Sequence, residues 1–259
     1  MKNIMNLLFF IAIGMVYILN EKHLYSILSC YYFNVHKNKH KIILWLEDNI
    51  ENEFNKQIEK YAEIKYFSLQ TEIDNTIFLQ NKKLFYNKEL AWYSDVVRYL
   101  LLYNYGGIWF DLDCLFLRNF DPLFYNFKNE ICAYKWITQQ HPNGAIFISL
   151  EKKSEKMKQN IEFIINKNKG WGFQEAFLTF DLPMNLLILP CNWFDGGWLN
   201  NPYNIIRNDI FLYTDIKYTF DNFFKGSFCF HWHNSWNCII DNNSIIMQLV
   251  KIIQKELEY

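Results

Sequence analysis

The stretch AWYSDVVRYLLLYNYGGIWFDLD, residues 91–113, predicts a helix followed by a strand. Apolar residues recur at intervals of three and four through its first half, which is the spacing of a helix packed on more than one side. Asp95 and Arg98 are three residues apart and therefore share one face of this helix. The pair Gly106 and Gly107 supplies the stop that helix C-termini favour.

The six residues after the glycines, IWFDLD at 108–113, predict a strand with two-residue alternation. Alternation places Trp109, Asp111 and Asp113 on one face of that strand. Two carboxylates on the same side of a strand end suit a hard divalent cation, which takes oxygen ligands and shares them with phosphates. For the Asp-x-Asp tripeptide alone, a polar strand end with N-capping aspartates is the competing interpretation.

The whole block is more specific than the tripeptide. Ser-Asp-x-x-Arg at 94–98, followed by Gly-Gly-Ile-Trp-x-Asp-x-Asp at 106–113, closely resembles the sugar-transferase family with a DXD motif. Initiating mannosyltransferases of the yeast type, α-1,4-galactosyltransferases, bacterial surface-glycan enzymes and the glucosylating toxins share it. The core of the resemblance covers residues 82–123. It implies an α/β protein with a GT-A (Rossmann-like) nucleotide-sugar-binding fold, a largely parallel sheet flanked by helices.

Length and composition set further limits. At 259 residues, we expect a single GT-A-like domain over 1–259. A net charge of -1 gives no electrostatic reason to expect nucleic acid as a partner. The six cysteines show no C-x-x-C spacing, so we expect free thiols, a reducing compartment and a cytoplasmic protein, with peripheral association at the inner face of the membrane as an option.

The apolar run at residues 4–19 has two interpretations. It is either the first strand of the sheet or a short signal anchor that would hold the protein in a membrane. Sixteen residues are fewer than the roughly 20 that a spanning helix needs, and Asn6 interrupts them. A GT-A domain also opens with a buried strand, so the strand interpretation is favoured.

Strand and helix patterns then alternate along the chain, which predicts a largely parallel sheet. Residues 41–47, KIILWLE, form the clearest buried strand. Ligands of such sheets bind beyond the carboxyl ends of the strands. Asp111 and Asp113 fall at such an end, so this edge is the predicted site.

The resemblance implies roles for these residues. Asp111 and Asp113 would hold Mn²⁺ (or Mg²⁺), completed by a histidine of the C-terminal stretch FCFHWHNSW, residues 228–236. His231 and His233 are both candidates there, and His231 is preferred. Asp95 and Arg98 would hydrogen-bond the donor sugar, since arginine makes two contacts from one rigid group.

Four further residues are candidates for contacts with the donor. Trp109 would stack near the base, and Ser235 with Trp236 would cover the diphosphate. Asn143 begins an Asn-Gly entry to a strand that lies near the sugar pocket in similar proteins, although an ordinary turn explains it equally well. No nucleophile is identified, because Glu175 and Asp195 are no more than guesses.

The expected activity is metal-dependent, configuration-retaining transfer of a sugar from a nucleotide-sugar donor to a glycan or glycolipid acceptor, in surface polysaccharide or lipopolysaccharide synthesis. A non-catalytic sugar- or nucleotide-binding protein is one alternative, but it would be marked by lost ligands, and Asp95, Arg98, Asp111 and Asp113 are all present. A nucleotidyltransferase or phosphohydrolase is the other, but neither G-x-x-x-x-G-K-[ST] nor G-x-G-x-x-G occurs.

Overall fold

The computed structural model describes residues 9–14, 19–36, 40–46, 53–66, 68–74, 76, 78, 90–136, 142–167, 185–198 and 207–258. Its strands are β1 (Phe9–Gly14), β2 (Lys41–Leu46), β3 (Glu63–Tyr66), β4 (Gly107–Phe110), β5 (Cys114–Phe116), β6 (Ile131–Tyr134), β7 (Asn143–Ser149), β8 (Leu186–Leu189) and β9 (Cys229–His231). Its α-helices are α1 (Glu21–Asn34), α2 (Glu53–Ile58), α3 (Leu69–Asp74), α4 (Leu90–Tyr105), α5 (Asp121–Phe127), α6 (Glu155–Lys167) and α7 (Ile245–Leu257). Short 3-10 helices span Cys191–Trp193, Gly196–Trp198 and Arg207–Phe211.

Seven strands form the main sheet in the order β3-β2-β1-β4-β7-β6-β8. The neighbours from β3 through β4 are all parallel, as are β6 and β8. Only β7 runs against its two neighbours, β4 and β6. The prediction of a largely parallel α/β sheet is therefore confirmed, with β7 as its exception among the described strands.

The N-terminal apolar run supplies a central strand. Phe9–Gly14 pairs in parallel with β2 on one side and with β4 on the other. The strand interpretation of residues 4–19 is thus confirmed for 9–14, and residues 4–8 and 15–18 lie outside the described part. Among the helices that the structure describes, none is long and apolar enough to cross a membrane.

The two faces of the sheet are covered by different cores, and β4 contributes to both. Ile108 and Phe110 pack with Leu112 in the core that includes α1 and β2. Trp109 packs in the opposite core, with α4 residues such as Leu101. The predicted alternation is therefore correct through Phe110.

The strand ends earlier than the sequence pattern suggested. β4 stops at Phe110, and residues 111–113 form a turn in which the amide of Cys114 donates to the carbonyl of Asp111 (3.2 Å). The expectation that Asp111 and Asp113 project from one strand face is thus wrong. The chain turns here because it must enter β5, which pairs with the distant β9 in a separate two-stranded sheet.

Pairing of β5 with β9 joins two segments that are far apart in sequence. The register is antiparallel and places Cys114 opposite His231. Beside it, the amide of Trp232 donates to the carbonyl of Asp113 (3.0 Å). The histidine-containing stretch therefore meets the acidic turn at the carboxyl end of β4.

Candidate active site

Arg98 links helix α4 to the acidic turn. Its Nη1 donates to Asp95 (2.7 Å), and its Nη2 donates to the two carboxylate oxygens of Asp111 (3.0 and 3.4 Å). The arginine side chain is 7% exposed, whereas the side chains of Asp95 and Asp111 are 22% and 30% exposed. Burial acts to lower the pKa of Arg98, but Asp111 and Asp95 outweigh it and raise the pKa, so the guanidinium stays charged.

Trp109 packs against Arg98 and donates a hydrogen bond to Asp111. Its indole Nε1 donates to Asp111 (2.6 Å), and the guanidinium of Arg98 lies 5.1 Å from the ring centre. The side chain has no exposed surface. Stacking of Trp109 on a nucleobase, as we expected, is therefore contradicted, because no face of the ring is accessible.

The start of β7 closes the other side of Arg98. A β-carbon added to Gly144 would overlap Nη1 of the arginine and lie 2.7 Å from its Cζ, so a larger residue there would have to displace the guanidinium. Asn143 shapes this entry, since its side-chain oxygen accepts the amide of Ala145 (2.7 Å). The carbonyl of Ala145 in turn accepts the amide of Asp111 (2.8 Å). Asn143 thus lies next to the Arg98 cluster and participates in the turn itself.

Asp113 belongs to a second cluster, with His231. Both side chains are buried, and Oδ1 of Asp113 lies 3.1 Å from Nε2 of His231. The second oxygen, Oδ2, accepts the amide of Asn234 (2.7 Å). Oδ1 has no well-aligned hydrogen-bond donor in the described part of the chain. One carboxylate oxygen is therefore anchored by the backbone, and the other faces the imidazole.

The far side of the His231 ring is fixed by two further residues. Its Nδ1 lies 2.9 Å from the hydroxyl of Tyr134, which lies 3.3 Å from Oδ2 of Asp195. If Tyr134 donates to the Asp195 carboxylate, its oxygen accepts from Nδ1–H. The imidazole is then held in the orientation that directs Nε2 at Asp113. Carboxylate chains of this kind are how proteins orient histidine ligands of metals.

Asp195 is the centre of this support. It is fully buried and accepts hydrogen bonds from the indole of Trp136 (2.5 Å) and from Nε2 of His233 (2.9 Å) as well as from Tyr134. Burial acts to raise the pKa of Asp195, but the neighbouring His231 and His233 outweigh it and lower the pKa to about 2. A carboxylate so enclosed holds in place the groups that it contacts.

The sequence reasoning named Asp195 only as a guess and missed Tyr134 and Trp136. The available signal was one acidic residue inside the aromatic stretch CNWFDGG, residues 191–197. A lone carboxylate in such surroundings needs partners, because burial of an unpaired charge is costly. The other guess for a nucleophile, Glu175, lies outside the described residues.

The segment after β9 is tied to the same site. Besides the contact of Asn234 with Asp113, the indole Nε1 of Trp236 donates to the side chain of Asn234 (3.2 Å). The hydroxyl of Ser235 lies within hydrogen-bond distance of the Trp232 carbonyl (2.9 Å) and of Asn208. The structure thus brings Ser235 and Trp236 beside Asp113, together with the two histidines, whose ring centres are 3.8 Å apart.

The residues around Asp113 fit a divalent cation. One group of potential ligand atoms comes from Asp113, Cys114 and His231, and all of these atoms lie within 4.8 Å of one another. Burial raises the pKa of Cys114 well above its usual value, so its thiol stays neutral. The ligands offered are therefore a carboxylate oxygen and an imidazole nitrogen.

The protonation states of Asp113 and His231 bear on how a cation would bind there. Burial acts to lower the pKa of His231, but the Asp113 carboxylate outweighs it and raises that pKa well above its usual value. Burial acts to raise the pKa of Asp113, but the His231 imidazole outweighs it and lowers that pKa. His231 is therefore protonated beside an ionised Asp113, and a cation that binds there would displace this proton, since metal binding releases protons from its ligands.

Asp111 is placed differently from the expectation, because its oxygens contact Arg98 and Trp109. His233 contacts Asp195, in a group of three with His231.

Comparison with known proteins gives two kinds of finding. Residues 30–129 match the family described as "Glycosyltransferase sugar-binding region containing DXD motif". This range includes the predicted core at 82–123. No protein of curated function matches the sequence.

Among solved structures, the PaToxG glycosyltransferase is 14% identical with a TM-score of 0.46, and the match covers 66% of each chain. GlyE of Streptococcus pneumoniae TIGR4 is 16% identical with a TM-score of 0.45, over 72% of this chain and 46% of that one. An active-site mutant of LgtC is 9% identical with a TM-score of 0.43, over 72% of this chain and 74% of that one. The chain thus spans less than half the length of GlyE.

The family match covers α4, β4 and the acidic turn, which are the elements that build the Arg98 cluster and position Asp113. The mixed sheet with its parallel half β3-β2-β1-β4 confirms the α/β class predicted from the sequence. Residues 30–129 therefore resemble the DXD-containing sugar-binding region of glycosyltransferases.

Proposed function

We propose that this protein transfers a sugar from a nucleotide-sugar donor to a glycan or glycolipid acceptor, and that the transfer needs a divalent cation, Mn²⁺ or Mg²⁺. The observation that carries the proposal is the buried pair of Asp113 and His231, 3.1 Å apart, beside the DXD turn. When bound there, the cation would act as a Lewis acid that neutralises the departing diphosphate. An oxygen and an imidazole ligand together favour Mn²⁺ over Mg²⁺.

The chain's own residues divide the remaining work between two clusters. Asp113 and His231 would hold the cation, with Asp195 and Tyr134 orienting the imidazole. Asp95 and Asp111 are partly exposed and accept hydrogen bonds, so their carboxylates suit the hydroxyl groups of the donor sugar. Arg98 is buried between them, and we assign it the role of positioning both carboxylates.

Two finer points follow from the resemblance of the sequence block. It supports retention of the anomeric configuration, by attack of the acceptor on the face from which the nucleotide leaves. It also supports a role in synthesis of surface polysaccharide or lipopolysaccharide, with the whole of residues 1–259 as one catalytic domain. Enclosure of Asp195 agrees with a reaction that uses no enzymic carboxylate as nucleophile.

The test is donor hydrolysis and transfer by the purified protein. UDP-, GDP-, ADP- and dTDP-sugars would be incubated with Mn²⁺, and release of free nucleotide would be followed. We expect release from at least one donor, its loss on chelation, and its recovery on return of Mn²⁺. Asp113→Asn should abolish release, and Asp221→Asn, at an exposed position outside the site, should not. Release that persists in chelator, or in Asp113→Asn, would contradict the metal site.

A further inference from the structure

His23 is built into the first turn of α1. Asn20 caps the helix: its side chain accepts the amides of Lys22 and His23, and its own amide donates to Nδ1 of His23 (3.0 Å). This reciprocal arrangement is a capping box in which histidine occupies the place usually held by Glu or Gln. The contact fixes the orientation of the ring, because Nδ1 is directed back at the Asn20 amide.

The other ring nitrogen is a donor without an acceptor. Burial lowers the pKa of His23 to about 4, so the ring is neutral at pH 7 and carries a single proton. Since Nδ1 accepts a hydrogen bond, that proton is on Nε2. The side chain is 1% exposed, and Nε2 has no hydrogen-bond partner among the residues that the structure describes. A buried donor left unpaired is costly, which points to a partner that binds there.

The surroundings of this donor favour an anion. The ring stacks on Trp236, with the centroids 4.4 Å apart and the planes 14° from parallel. Next to it, the ammonium of Lys22 donates to the carbonyls of Ser235, Trp236 (3.0 Å) and Cys238 (2.6 Å). These contacts hold the segment after β9 against the positive end of α1, where the helix dipole attracts negative charge.

The same segment reaches the candidate cation site. The amide of Asn234, two residues before Trp236, donates to Asp113 (2.7 Å). Asp113 also acts on His23 electrostatically, since its charge opposes the lowering of the pKa of His23 by burial. The ring of His23 therefore lies between α1 and the segment after β9, near enough to Asp113 for the charge of that carboxylate to act on it.

We propose that Nε2–H of His23 donates a hydrogen bond to a diphosphate oxygen of the bound nucleotide, with Trp236 holding the ring in place. The inference rests on the proposed function, because that function puts a diphosphate next to Asp113. His23 is then a binding residue for the leaving group and lies outside the acidic block at 94–113 that the sequence made obvious.

The decisive variant is His23→Phe, which keeps a ring to stack on Trp236 and removes the donor. Binding of UDP, GDP, ADP and dTDP, each with Mn²⁺, would be measured by calorimetry for the wild type and the variant. We expect His23→Phe to bind the preferred diphosphate about ten- to a hundredfold more weakly, as for the loss of a hydrogen bond to a charged group. Binding of Mn²⁺ alone should not change.

The matched control weakens the same capping box without touching Nε2. Asn20→Ala removes the other half of the box, so both variants should lower the melting temperature by comparable amounts. Only His23→Phe should lose affinity for the diphosphate. Equal losses in the two variants would show that the cap, and not the donor, matters, and would overturn the proposal.

A second measurement does not depend on the variant folding. In wild-type protein with ¹⁵N-labelled histidines, the Nε2–H signal of His23 should shift when the preferred diphosphate is added with Mg²⁺, and the corresponding nucleoside should not reproduce the shift. An unmoved signal overturns the assignment of His23 while nucleotide binding itself stands. If the wild type binds no nucleoside diphosphate at all, the proposed function and the inference fall together.

Discussion

A β-carbon on Gly144 would lie 2.7 Å from Cζ of Arg98, so the entry to β7 has room for the guanidinium only because residue 144 is glycine. Asn143 and Gly144 stand out in the sequence as a turn. In the structure they form one wall of the arginine cluster.

Gly144→Ala should therefore displace Arg98 from its position between Asp95 and Asp111. We expect donor turnover to fall at least tenfold, with destabilisation of about 1–3 kcal/mol from overpacking. Nucleotide release and thermal unfolding would measure the two effects. In an Arg98→Ala background the same glycine substitution should cost little more activity, because the group it displaces is gone. Full additivity of the two losses would contradict the contact.

Asp111→Asn and Asp113→Asn should have different effects, although both remove a carboxylate of the DXD motif. Asp113→Asn should abolish Mn²⁺-dependent turnover and weaken Mn²⁺ binding, because Asp113 and His231 are the proposed ligands of the cation. Asp111→Asn should leave the affinity for Mn²⁺ close to wild type, since Asp111 contacts Arg98 and Trp109. Calorimetry with Mn²⁺ checks this, with circular dichroism to verify the fold. Equal loss of Mn²⁺ affinity in both would mean that Asp111 is also a ligand.

Asp195→Asn should act through His231. The variant retains the size of the side chain and removes the charge that Tyr134 and His233 contact. Loss of such an orienting carboxylate typically weakens metal affinity or activity about 10- to 100-fold. We expect that weakening, with much of the turnover recovered at high Mn²⁺. A turnover that stays low at saturating Mn²⁺ would instead place Asp195 in the reaction itself.

The sequence predicted what local patterns determine. Alternation separated Trp109 from Phe110 correctly, because the two faces of a strand differ by a single residue step. The amphipathic spacing of α7, with Ile246, Leu249, Val250 and Ile253 buried, is a local pattern of the same kind. The end of β4 was not predictable in the same way, because it depends on β5 pairing with β9, which comes far later in the chain.

The residues that orient His231 could not be predicted from local sequence patterns either, because they come from distant segments of the chain. Tyr134, Asp195 and His231 come from three elements that are adjacent only in the folded protein. Nothing in the spacing of one element indicates the others. The burial of Trp109 was likewise decided by α4 packing on that face of the sheet, and it turned an expected stacking residue into a support for Asp111.

Removal of residues 4–19 should prevent folding. The described part of this run, β1, pairs with both β2 and β4, so its loss leaves two internal strands without their partner. Unpaired backbone groups in a buried sheet are costly, and we expect insoluble or unfolded protein. Solubility and circular dichroism of the deletion variant provide the measurement. A soluble, active protein without these residues would show that they serve only as an anchor.

Arg98→Ala tests whether the arginine cluster acts on the donor or is a structural pair. If Arg98 only paired with Asp95 on the helix, the link would be worth about 0.2–0.5 kcal/mol and turnover would stay within about twofold. The structure adds the contacts of Arg98 with Asp111, in a buried position. Loss of hydrogen bonds to charged groups is worth about 1.5–3 kcal/mol, so we expect turnover to fall roughly ten- to a hundredfold or more.

Two further measurements separate these accounts. Affinities for Mn²⁺ and for the free nucleotide should stay near wild type in Arg98→Ala, since neither Asp113 nor His231 contacts the arginine in the described structure. Arg98→Lys is the matched control for charge. A single ammonium cannot reproduce the planar fork that reaches Asp95 and Asp111 together, so lysine should recover little of the turnover. Recovery to near the wild-type rate would mean that the positive charge alone suffices and that the bridging geometry does not position the carboxylates.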